Sequence, residues 1–200
     1  MGNKKGLFIV IEGIDGTGKS SQAKLLAKFL EEKGHHALIE REPTDGPFGK
    51  KLRQSMTEGR LSPQEELDLF HADRKQHVQD IIIPALTKGT HIILDRYYFS
   101  TMAYQGQRGF DIAELRATNE AFAPPPDILL ILDLNVDQAL ERIGTRGDTA
   151  NEFEQRDSLQ FCRDTFLSLK DEPYTHIIDT TPSIEEVHTS IQAIIQAHLN

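Results

Sequence analysis

Short apolar runs recur along the chain, separated by longer stretches in which apolar residues return every third or fourth position. The runs Leu7–Glu12, Ala37–Glu40, His91–Asp95, Ile128–Asp133 and His176–Asp179 are predicted as strands. Strands of this kind, alternating with helical periodicity, belong to a parallel sheet covered on both faces. The first helix is predicted from Ser20 to Lys33, with Ala23, Leu26, Ala27 and Leu30 on one face and Gly34 stopping it. Ser62-Pro63-Gln64-Glu65 combines a capping box with proline at the first helical position. It opens a long helix carrying Leu67, Phe70 and Val78, which Pro84 is expected to kink. Asp111–Glu114 and Ser183–Glu186 read as capping boxes of later helices, and Pro124-Pro125-Pro126 as a stiff connector into the fourth strand. The pattern fits one α/β domain over residues 1–200, a five-stranded parallel sheet flanked by helices.

Glycines and charges sharpen that outline. Residues Gly13-Ile14-Asp15-Gly16-Thr17-Gly18-Lys19-Ser20 follow the first strand and open the first helix. This is the G-x-x-x-x-G-K-[ST] spacing of a P-loop, whose backbone N–H groups turn inward around phosphate oxygens. Glycine at positions 13, 16 and 18 supplies the conformational freedom such a turn needs. Lys19 would reach the β- and γ-phosphates, the Ser20 hydroxyl would hold Mg²⁺, and the helix start at Ser20-Ser21 adds its dipole. The alternative is an ordinary glycine-rich strand–helix turn.

The formal charge of −9 argues against a general nucleic-acid or membrane-surface binder. Cations for a phosphate site must then be concentrated locally. Asp95-Arg96-Tyr97 closes the third strand, and ligands of open α/β sheets sit beyond such strand ends. Arg96 is therefore expected at the phosphate site, unless it is a surface residue paired with Asp95. Phe70 and Arg74, four apart on one helix, suit a nucleobase, although a core Phe beside a solvated Arg has the same spacing. A polar stretch from Arg142 through Arg146 to Asn151 breaks a helical pattern. It reads as a mobile lid over about residues 142–152, or else as a plain surface loop. The single cysteine, Cys162, is expected to be a buried structural thiol, and His35-His36 to be solvated. The opening residues carry no apolar signal segment and no run reaches membrane-spanning length, so a cytoplasmic protein is expected.

Together these segments resemble the thymidylate kinase family across nearly the whole chain. The resembling stretches are Phe8–Gln22, Arg41-Glu42-Pro43, Phe70-His71-Ala72-Asp73-Arg74, Asp95-Arg96-Tyr97 continuing through Ser100–Gly106, and Arg142–Gly147. The resemblance implies a P-loop NTPase fold with a mobile lid, and transfer of the γ-phosphoryl group of ATP to dTMP with Mg²⁺, by a homodimer. It implies that Gly13 to Ser21 bind ATP and that Lys19, Arg96, Arg142, Arg146 and Asp95 serve the transfer. For dTMP it implies Asp15 at the 3′-hydroxyl, Phe70 stacked on thymine, Arg74 at a base carbonyl and Arg96 at the phosphate. Tyr104 would crowd the 2′ position, Ser100, Thr101 and Gln105 would line the base pocket, and Arg53 would approach the phosphate. The lid would supply the catalytic arginine, because residues 14 to 17 of the loop carry no basic side chain. Thr44-Asp45-Gly46-Pro47 departs from the frequent Gly-Gly-Thr form after Arg-Glu-Pro, which leaves the acceptor loop open.

Two other classes compete. A deoxynucleoside kinase phosphorylates a 5′-hydroxyl and needs a carboxylate base, for which Glu42 is placed. A guanine-reading switch needs an Asn-Lys-x-Asp segment, and none occurs.

Overall fold

The computed structural model describes residues 5–59, 61–144 and 152–199. Its sheet is five-stranded and parallel, in the order β2-β3-β1-β4-β5. The strands are β1 (Phe8–Glu12), β2 (Ala37–Arg41), β3 (His91–Asp95), β4 (Ile128–Asp133) and β5 (Thr175–Asp179). All five predicted strands are present, with ends displaced by no more than a residue. In β1, Phe8 and Val10 enter one core and Ile9 and Ile11 the other. Because both faces are dry, β1, β3 and β4 read as continuous apolar runs. The edge strands β2 and β5 are largely half-buried or exposed.

The helices α1 (Lys19–Glu32) and α9 (Ile184–Leu199) cover one face. The other face packs α3 (Pro63–His77), α5 (Tyr98–Gly106), α6 (Ile112–Glu120), α7 (Val136–Gly144) and α8 (Glu152–Leu167). Between β2 and α3 lies α2 (Pro47–Glu58), which starts with proline after Gly46. The box at Ser62 is fully formed, and Ser183 with Glu186 makes the same exchange. At Asp111 the cap side chain accepts from Glu114 N at 2.8 Å. Before Pro84 the long helix changes character: after α3 comes a π-helical turn, Val78–Ile82, and α4 (Ile83–Thr87) carries on. Proline has no N–H to give, and widening the preceding turn absorbs the missing bond. His35 is also a correction. It is half-buried, its ring 5.0 Å from that of His91, while His36 is exposed. Cys162 is fully buried, and burial raises its thiol to about 12.

The strand order places β1 between β3 and β4, where successive connections leave in opposite directions. The carboxyl ends of β1 and β3 therefore open a crevice at the switch point.

Candidate active site

The turn after β1 is forced by its neighbours. A Cβ on Gly13, at φ 140°, would lie 2.3 Å from the Leu132 carbonyl oxygen. Gly18 caps α1 at φ 90°. Inside the turn, Lys19 Nζ donates to the Gly13 and Ile14 carbonyls, each at 2.9 Å, and lies 3.9 Å from Asp15. The ammonium is buried, and that burial, with Arg96 nearby, lowers its pKa to about 8. Ser20, exposed at the helix start, donates to Asp95 Oδ2 at 2.5 Å. Asp95 thus faces Ser20 across the crevice, and Arg96 is paired elsewhere.

Arg96 adopts φ 72°, a left-handed turn that swings its side chain from the end of β3 toward the loop. It forms an ion pair with Asp15, donates to Ser100 Oγ at 3.1 Å and lies over the Tyr104 ring at 5.2 Å. Glu12, buried at the end of β1, holds this bend. It accepts from Tyr97 N (2.7 Å), Ser100 N (3.0 Å) and Ser100 Oγ (2.7 Å). Burial raises the Glu12 pKa even with those donors.

Beyond Arg96 lies a cavity of about 450 Å³ between α3 and α5. Phe70 forms part of its wall and is half-buried, so it is not a core residue. Arg74 is 1% exposed, which overturns the solvated alternative. Its Nε donates to Glu42 Oε2 at 2.7 Å, Nη1 to Asn119 Oδ1 at 2.5 Å and Nη2 to Thr101 Oγ1 at 3.1 Å. Asp15, Arg96, Ser100, Thr101, Tyr104 and Gln105 complete the expected lining. Gln105 is 3% exposed, and among the described residues its Oε1 has no hydrogen-bond partner.

A second cavity, about 310 Å³, adjoins the loop on the other side, between Gly16–Gly18 and the segment Thr180–Ile184. Arg142 sits in its wall, donating to the Thr180 carbonyl at 2.9 Å and the Gly16 carbonyl at 3.5 Å.

The family model described as thymidylate kinase matches residues 11–191. This chain is 47% identical over 194 residues to a protein named thymidylate kinase from Xanthomonas campestris pv. campestris (strain B100), covering 97% of this chain and 85% of that one. A protein of the same name from Xylella fastidiosa (strain M12) is 45% identical over 190 residues, 95% of this chain and 87% of the other. This chain belongs to the thymidylate kinase family.

Most of the residues matched to the thymidylate kinase family from the sequence line these two cavities, while Gly13, Ile14 and Lys19 form the turn beside them and Ser20 and Asp95 face each other across the crevice. Arg53 is absent from the acceptor cavity's lining. It donates to the Pro43 carbonyl and to Asp45, each at 2.8 Å, so the Thr44-Asp45 departure supplies the carboxylate that holds it. Arg146 lies outside the described residues. Sequence reasoning missed the wall residues Glu66 and Arg108, an ion pair, and the donor-side segment Thr180–Ile184. Glu66 was detectable, standing one turn before Phe70 on the same helix face. The Thr180 segment carries a helix cap at Ser183 but no nucleotide-binding motif, and its place beside the loop shows itself only through the fold.

Proposed function

We propose that this chain, a phosphotransferase of the thymidylate kinase family, transfers the γ-phosphoryl group of ATP to dTMP, giving dTDP and ADP. One observation carries the reading: Arg96, in the acceptor cavity, is ion-paired to Asp15 of the P-loop, beside Lys19. The cations for two phosphate groups are thereby brought to one crevice. A phosphate monoester oxygen is already ionised near neutral pH, so transfer to it needs alignment and charge neutralisation more than a strong base. Lys19 meets the donor phosphates and Arg96 the acceptor phosphate. Phe70 stacks on the base, Arg74 meets a base carbonyl, and Gln105 Oε1 accepts the imino N–H that thymine offers. Asp15 takes the 3′-hydroxyl and Tyr104 crowds the 2′ position. ATP lies along the loop with its nucleoside in the cavity beside Arg142. Its contacts to Gly16 and Thr180 suit it to holding the donor, which leaves Arg146 as the lid arginine for the transferring group.

The Ser20 hydroxyl and Asp95 carboxylate, 2.5 Å apart, are oxygen donors that fit Mg²⁺. Bound there, the ion would neutralise the charge of the β- and γ-phosphates. The competing 5′-hydroxyl acceptor is disfavoured, because both Glu42 oxygens are engaged, by Arg74 at 2.7 Å and His77 at 3.1 Å. Exposed Phe48 on α2, Ile81 in the π-helical turn and Ile83 on α4 offer apolar surface through which two copies would pair. No helix of the described residues is long and apolar enough to cross a membrane, and the reading places the protein in the cytoplasm with its nucleotides.

A coupled ADP-release assay over a panel of nucleoside monophosphates tests the reading. ADP release should be fastest with dTMP and absent with thymidine. Release that is independent of every monophosphate, or driven by thymidine, overturns it.

A further inference from the structure

Arg74 is the only buried residue of the acceptor wall whose head group touches three separate elements among the contacts described above. Its partners come from the end of β2 (Glu42), from α5 (Thr101) and from α6 (Asn119), and the Tyr97 ring lies 5.5 Å from the guanidinium. A guanidinium is planar, so contacts spread around its edge decide which way the fork faces. Two of these partners are themselves fixed from behind. Asn119 Nδ2 donates to the Leu115 carbonyl at 2.7 Å, which turns Oδ1 toward Arg74. Glu42 is clamped between Arg74 Nε on one oxygen and His77 Nδ1, 3.1 Å away, on the other.

We propose that His77 is a positioning residue for the acceptor: by holding Glu42 it sets the plane in which Arg74 presents its guanidinium to the base. The inference rests on the acceptor reading above. His77 is 4% exposed and does not line the cavity, so it acts only through its neighbours. It stands three residues after Arg74 on the same helix, and the two side chains bracket one carboxylate from the same side. Its Nε2 lies 3.3 Å from Glu40 Oε2, so each ring nitrogen faces a carboxylate. A ring in that setting carries both protons: the one on Nδ1 is directed at Glu42, whereas Nε2 stands near Glu40 without a hydrogen bond among the described residues. Burial opposes the charge, yet the contacts with Glu40 and Glu42 prevail and raise the pKa to about 9. With His77 doubly protonated, Glu42 has a donor on each oxygen and cannot rotate without losing one.

Two substitutions separate positioning from bulk. In His77→Asn the amide nitrogen falls where Nδ1 was, so the donor to Glu42 survives. In His77→Gln it falls where Nε2 was, and only the side toward Glu40 keeps a donor. Binding of dTMP and of ATP is measured by calorimetry, with KM and kcat alongside. His77→Gln should weaken dTMP roughly tenfold, the scale of a hydrogen bond to a charged group. His77→Asn should stay within about twofold, and ATP should change by less than about twofold in both. In an Arg74→Lys protein, which keeps the charge but lacks the fork, adding His77→Gln should cost less than about a further twofold. Equal effects of Gln and Asn, an equal loss for ATP, or a full tenfold loss in the Arg74→Lys protein each overturn the proposal. If His77→Gln does not fold, His77→Asn carries the test alone: a loss of dTMP affinity beyond about twofold, or an equal loss for ATP, overturns it. Wild-type protein that binds ATP but no dTMP would remove the acceptor reading itself. Normal dTMP binding with an indifferent His77 removes this inference alone.

Discussion

At the donor loop Lys19 bonds carbonyls six and five positions before it, whereas in the acceptor cavity Arg74 is gripped by residues 32, 45 and 27 positions away. The first site is made of backbone and close neighbours, and the second of side chains that only the finished fold brings together. Local construction makes the loop tolerant: removing one side chain leaves the turn held by the Thr17 bond to the Ile14 carbonyl and by the start of α1, where Ser21 N and Gln22 N donate to the Gly18 carbonyl. Long-range construction makes the cavity a part of the core. Its charged residues are therefore expected to carry stability as well as affinity, and those of the loop to carry rate and phosphate binding with little stability.

The largest effect should come from the loop and leave stability intact. Lys19→Ala is expected to lower kcat by about a thousandfold or more, since the ammonium stabilises charge on the transferring group. Its melting temperature and dTMP affinity should stay near wild type, because the contacting carboxylate, Asp15, is 57% exposed and buried Glu12 keeps its donors from Tyr97 and Ser100. Thermal denaturation and single-turnover kinetics check both halves. A marked loss of stability would mean that the loop is not self-supporting. Arg74→Ala should do the reverse. It takes the donor from one oxygen of buried Glu42, leaving only His77 on the other, and strips Asn119 and Thr101 of their partner, a loss of about 3 kcal/mol in chemical denaturation. An unchanged denaturation midpoint would show that the cavity is not fastened as the contacts imply.

The same contrast explains what the sequence disclosed. The P-loop was legible because its chemistry needs fixed residues at fixed, short spacing. The strands were legible because burial on both faces leaves unbroken apolar runs such as Phe8–Ile11. Phe70–Arg74 could be noticed as a pair but not interpreted, since a core Phe beside a solvated Arg has the same spacing. What decided it was Glu42, Thr101 and Asn119, which no local pattern ties to Arg74. Helix α5 was hidden for a related reason. Tyr98-Phe99-Ser100-Thr101 is poor helix material, and tertiary packing of Tyr98, Phe99 and Met102 overrides its propensity. Helix α2 did advertise itself, through Pro47 at its first position, but its strongly polar composition masked the signal.

Phe70 tests the cavity without touching its charge network. Being half-buried on the wall, it should be removable at small cost to stability. Base stacking on an aromatic is worth about 1–3 kcal/mol, so Phe70→Ala should raise the KM for dTMP by roughly five- to a hundredfold. The KM for ATP should move less than about twofold. Equal changes in the two constants would return Phe70 to the core.

The smallest effect separates the two regions by the kind of cation each uses. Lys19 is a titratable ammonium whose pKa burial and Arg96 lower to about 8, against the opposing pull of Asp15, Asp95 and Glu12. It is charged below that value and loses its proton as pH rises through it. The charged form is the one that binds phosphate, so ATP affinity should fall with rising pH, by roughly threefold between pH 7.5 and 8.5 for a single group of that pKa. Above pH 8 binding should also draw in a proton, visible as a buffer-dependent calorimetric enthalpy, because the phosphates raise the lysine's pKa again. Lys19→Arg should abolish the slope, as a guanidinium does not titrate in this range. Binding of dTMP relies on Arg96 and Arg74 and should change by less than about twofold over the same interval. His77, raised to about 9, begins to lose its proton only toward the upper end of that window. A flat ATP profile in wild-type protein would show that the loop keeps its lysine charged, and that the two sites differ in where their partners come from but not in how they respond to pH.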